Sequence, residues 1–66
     1  MSAIHILIAW RDRRDTAPMG ATIRDYTLAN RLYEEATERI PYSDEWREEV
    51  YAEAIRLAQE REHARA

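Results

Sequence analysis

The chain has 66 residues, no Cys, ten Arg without a single Lys, and a formal net charge of −3. That length allows one small domain, and a core of such size is marginal by itself. Without Cys, disulfides and thiolate metal sites are excluded, which leaves association as the support to expect. Apolar residues make up 45% of the chain, as in a folded rather than a disordered segment.

Residues 3–10, "AIHILIAW", alternate as a strand does. Ile4, Ile6, Ile8 and Trp10 share one face; Ala3, His5, Leu7 and Ala9 share the other. β-branched and aromatic side chains suit that reading. Read instead as a helix, the same residues spread round the whole cylinder and need cover on every side. The apolar run stops at Trp10, too short to span a bilayer, and no basic segment precedes it. A soluble, cytoplasmic protein is therefore expected.

Residues 11–21 read as a loop, "RDRRDTAPMGA", containing Pro18 and the only Gly, Gly20. A helix is expected over 22–39, with Thr22 and Asp25 as a near capping box. Its stripe is Tyr26, Ala29, Tyr33, Ala36 and Ile40, widened by Leu32, and Pro41 ends it. A second helix is expected over 44–62, with Ser43 as its cap. Trp46, Val50, Tyr51, Ala54, Ile55, Leu57 and Ala58 form an apolar face wider than one neighbour covers. The short link makes the two helices an antiparallel hairpin.

The expected fold class is therefore α+β: strand, loop, helix, helix, in one domain over 1–66. A lone strand leaves its backbone groups unpaired. The simplest mate is the same strand in a second copy, giving a homodimer through residues 3–10. The alternative is an all-α three-helix bundle. The order strand, helix, helix over residues 3–58 resembles the ribbon-helix-helix family of DNA-binding repressors and antitoxins. That resemblance implies a dimeric regulator whose ribbon enters the major groove. Eleven residues here separate strand from helix, and the outward strand face is Ala3, His5, Leu7 and Ala9.

Charge is the sharper functional signal. Residues 1–33 carry five Arg and three Asp, net +2; residues 34–66 carry ten acids and five Arg, net −5. Glu45, Glu49, Glu53 and Glu60 fall on one side of the last helix, with Glu48 adjoining. Carboxylates four residues apart are about 6 Å apart along the axis and repel. Such a ridge suits docking on a basic partner surface. Tyr42, beside Pro41 in the turn, is the aromatic most suited to anchor a partner. Arg11, Arg13 and Arg14 are the alternative, a phosphate-contacting cluster offset by Asp12 and Asp15.

The acids sit on an exposed face with no nucleophile or Gly-rich loop around them, and Glu60 and His63 are only two ligand-type residues. The expectation is a non-enzymatic interaction protein without catalytic residues, metal or cofactor. Direct nucleic-acid binding is not the expected activity, and no membrane association is expected. Small, acidic, Arg-only chains are similar in composition to phage and mobile-element accessory proteins. These include anti-CRISPR-type inhibitors of nucleic-acid-binding machines.

Overall fold

A computed structural model of the chain describes residues 3–14 and 20–64. They form three helices: α1 (Ala3–Arg11), α2 (Ile23–Arg39) and α3 (Trp46–Ala64). No strand occurs among the described residues. The expected α+β class is thus overturned, and the all-α three-helix arrangement holds.

The correction has a clear physical cause. A strand at 3–10 would present unpaired amides with no second strand to meet them, whereas a helix satisfies them within itself. Nor does the helix need cover on every side. Ala3, Ile6, Leu7 and Ala9 are buried, and Trp10 packs beside them on the same half of the wheel. Ile4 and Ile8 stay half-exposed and His5 faces outward. The small helix wedges between α2 and α3, so two neighbours share its apolar arc. Packing overrides the modest helix preference of its three Ile residues. The ribbon pairing across a homodimer goes with the strand, because Ile6 and Leu7 are fully buried inside the chain's own core. The strand-first order that linked the chain to ribbon-helix-helix proteins is likewise absent.

The end of α1 is built as a Schellman motif. The Arg14 amide donates to the Ala9 carbonyl at 2.9 Å, and the Arg13 amide to Trp10 at 3.1 Å. Arg13 holds the left-handed position, φ 58°, that glycine usually fills. Arg47 reaches across from α3 to the same end: its Nη2 donates to the Trp10 carbonyl at 2.8 Å. Its guanidinium also lies over the Tyr51 ring, 5.0 Å from the centroid.

At the start of α2, Thr22 Oγ1 accepts from the Asp25 amide at 3.2 Å, and the Asp25 carboxylate accepts from the Thr22 amide at 3.0 Å. Both halves of a capping box are present, with Asp in the acidic place. Ile40 ends the helix in extended geometry, as the residue before a proline must. The Trp46 indole N–H then donates to the Ile40 carbonyl at 3.2 Å, tying the first residue of α3 to the end of α2. Ser43 does not serve as the side-chain cap expected of it. Its hydroxyl donates to Glu49 Oε2 at 3.1 Å, and its carbonyl accepts from the Trp46 amide.

The three helices meet on a core of which half the buried residues are alanine. Ala3, Ala29, Ala36, Ala54 and Ala58 let the backbones approach closely. Ile6, Leu7, Leu32, Val50 and Leu57 supply the larger apolar groups. Tyr33 and Tyr51 close one side with rings 5.2 Å apart, and Trp10 meets Tyr26 at 6.4 Å. Burial pushes the Tyr51 phenol up, with the Tyr33 phenol adding to the shift and Arg47 opposing it.

Candidate functional site: an acidic turn around Tyr42

The sequence placed five carboxylates on one ridge, but the folded chain divides them. Glu53 is only 16% exposed and lies between two guanidiniums. Arg56 grips it with two bonds, Nε to Oε1 at 2.7 Å and Nη2 to Oε2 at 2.9 Å. Arg39, from the end of α2, adds a contact at 3.4 Å. The Arg56 hydrogen bond is the main reason the Glu53 carboxyl sits below its usual range, with the charges of Arg56 and Arg39 reinforcing it. Arg56 also takes Glu60 at 2.9 Å. Two Arg thus answer two Glu, and this half of the ridge carries no net charge.

The other half is different. Tyr42 is 88% exposed, one of two large apolar side chains among the described residues standing so far into solvent. Its ring rests against Trp46, centroids 5.9 Å apart at 35°, so it is held out on a partly buried base rather than swinging freely. Asp44, Glu45, Glu48 and Glu49 follow it through the turn into α3, all exposed. None of the four makes an ion pair with a described residue; Glu49 is met only by the Ser43 hydroxyl.

The helix starts at Trp46, so Glu48 and Glu49 lie in its first turn. There the helix dipole favours them by roughly 0.3–1 kcal/mol each. Dipole complementarity thus accounts for their tolerance in the fold. It does not account for an aromatic ring held in solvent among them.

In the alternative basic cluster one carboxylate meets two of the three Arg. Asp12 accepts from Arg11 Nε at 3.1 Å and from Arg14 Nη2 at 3.2 Å. Arg13 turns the chain. Asp15, the second expected offset, lies outside the described residues, as does the His63 side chain. Among the described residues no group of three or more His, Asp or Glu is placed to hold a metal ion. No helix among them is long and apolar enough to cross a membrane.

Ion pairing separates Glu53 and Glu60 from Glu45, Glu48 and Glu49. The signal in the sequence was Arg56, at i+3 of Glu53 and i−4 of Glu60. Sequence reading missed a second surface, on α2. Ile23 is 85% exposed. Arg24, Asp25, Thr27, Leu28 and Arg31 join it round a shallow open depression of about 510 Å³. Neither Arg24 nor Arg31 makes an ion pair with a described residue, although the charge of Arg24 acts on the neighbouring Asp25 carboxylate.

No family model, curated protein or solved structure matches this chain.

Proposed function

We propose that this chain is a non-enzymatic binding protein that docks its Tyr42 turn on a basic surface of a protein partner. Tyr42 is the aromatic anchor; Glu45, Glu48 and Glu49, with Asp44, supply charge for steering and register. One observation carries the reading: a tyrosine 88% exposed, braced on Trp46, among carboxylates that no described cation answers. Exposed aromatics of this kind dominate interface energetics, while surrounding charges act mainly on encounter rate. Glu53 leaves the site, because Arg39 and Arg56 already satisfy it. Nucleic-acid-binding grooves are basic surfaces of the required kind. Inhibition of a nucleic-acid-binding machine, as phage anti-CRISPR proteins do, is the specific form this reading takes.

The experiment is association kinetics against ionic strength, with a fluorescent arginine-rich helical peptide as the probe. Glu45→Gln/Glu48→Gln/Glu49→Gln should slow association and flatten its salt dependence, and Tyr42→Ala should speed dissociation. Glu53→Gln/Glu60→Gln should leave both alone. Equal rates and equal salt slopes for the two sets of Gln variants would reject the turn as the site.

A further inference from the structure

Two large apolar side chains among the described residues are strongly exposed, Tyr42 and Ile23. They stand in opposite electrostatic settings. Tyr42 is followed by Asp44, Glu45 and Glu48, none ion-paired with a described residue, while the intervening Arg47 is turned to the Trp10 carbonyl and the Tyr51 ring. Ile23 is flanked by Arg24 and Arg31, without anions from other helices. Asp25 also lines the depression; its carboxylate accepts from the Thr22 amide and hydroxyl at 3.0 Å each and lies within the field of Arg24, so the two Arg outnumber one acid there. Thr27 is turned back, donating to the Ile23 carbonyl at 3.0 Å. What remains outward is an apolar floor, Ile23 and Leu28, between two guanidiniums.

We infer that this α2 face receives the Tyr42 turn of a second copy of the chain. The inference rests on the turn being a docking site and names its partner. The tyrosine ring packs on Ile23 and Leu28, while Asp44, Glu45 and Glu48 answer Arg24 and Arg31. Arg24 and Arg31 are two turns apart on α2, a span of about 10 Å. Glu45 and Glu48 straddle the first residues of α3, so their carboxylates can address both guanidiniums from one approach.

A chain cannot satisfy its own turn in this way. Leu28 and Tyr42 lie toward opposite ends of α2, about 18 Å apart along its axis. The contact is therefore head-to-tail between copies, the heterologous kind that continues from copy to copy unless a ring closes. The patch is small beside the area of a permanent dimer, so the association is weak and screened by salt.

Head-to-tail contact makes the test decisive, because two different defects complement one another. Arg24→Glu/Arg31→Glu spoils the receiving face and keeps the turn. Tyr42→Ala/Glu45→Gln/Glu48→Gln spoils the turn and keeps the face. All five positions are exposed and away from the core, and circular dichroism checks that each variant folds. Sedimentation velocity at low and high ionic strength is followed up to about 1 mM chain, the scale of weak interfaces. The expected result is concentration-dependent growth of the wild type at low salt and a monomer for each variant alone. An equimolar mixture of the two variants should form a dimer and stop there.

A wild type that stays monomeric at low salt overturns the inference. So does self-association that survives in either variant. Binding of the arginine-rich peptide, measured in parallel, separates the failures. A monomer that still binds the peptide through Tyr42 removes only the second copy as partner. A monomer that does not bind it removes the docking turn as well.

Discussion

Replacing Arg47 by Met should loosen α1 from the rest of the fold. The Arg47 guanidinium donates to the Trp10 carbonyl at 2.8 Å and lies 5.0 Å over the Tyr51 ring. A hydrogen bond from a charged donor is worth about 1.5–3 kcal/mol, and a cation–π contact at a part-exposed site about 0.5–1 kcal/mol. Two facts reduce the sum. Arg47 is only half-buried, and the Trp10 carbonyl keeps the Arg13 amide at 3.1 Å. Met also retains the apolar stem, so packing changes little. The net cost is about 1–2 kcal/mol, which for a domain this small lowers Tm by roughly 5–15 °C. Thermal melting by far-UV circular dichroism reads it directly. Amide hydrogen exchange should lose protection first in residues 6–11. A Tm within a degree of wild type, with α1 amides equally protected, would refute the latch.

Three further outcomes follow from the geometry. Arg13→Gly should stabilise the chain by about 1 kcal/mol, since φ 58° costs a non-glycine residue roughly that much; urea midpoints would show it, and a drop would mean that the turn is not left-handed. Leu32→Ala should cost about 2–5 kcal/mol, because Leu32 is fully buried where α2 meets both neighbours; an unchanged melting curve would place it at the surface. The third concerns acid. The Thr22 amide, more than any other group, holds the Asp25 carboxyl below its usual range. Its share of stability is thus full above the ordinary carboxylate range and is lost as pH falls through the depressed folded value. Wild type and Asp25→Asn should therefore differ at neutral pH and converge in acid; a gap that widens on acidification would contradict the capping box.

The hairpin was readable because both of its helices carry a clear three-four apolar spacing and local stop signals, Thr22 with Asp25 at one end and Pro41 at the other. α1 was not, because residues 3–10 are apolar at almost every position, and such a run has no period that separates strand from buried helix. What decides between them is whether a pairing strand exists elsewhere, and none occurs among the described residues. The acidic ridge was half legible. Spacing put Glu53 and Glu60 beside Glu45 and Glu49, yet the reach of Arg39 from the neighbouring helix is a tertiary fact. So is the exposure of Ile23, a residue outside the apolar stripe of its helix.

Residue-resolved titration tests the docking turn most directly. Amide shifts of the isotopically labelled chain would be followed by NMR as the arginine-rich peptide is added at low salt. The expected result is that shifts concentrate on residues 42–49, with the Trp46 indole moving alongside, and that high salt abolishes them. Shifts that fall instead around Glu53 to Glu60, or that spread evenly over every exposed carboxylate, would contradict a site built on Tyr42.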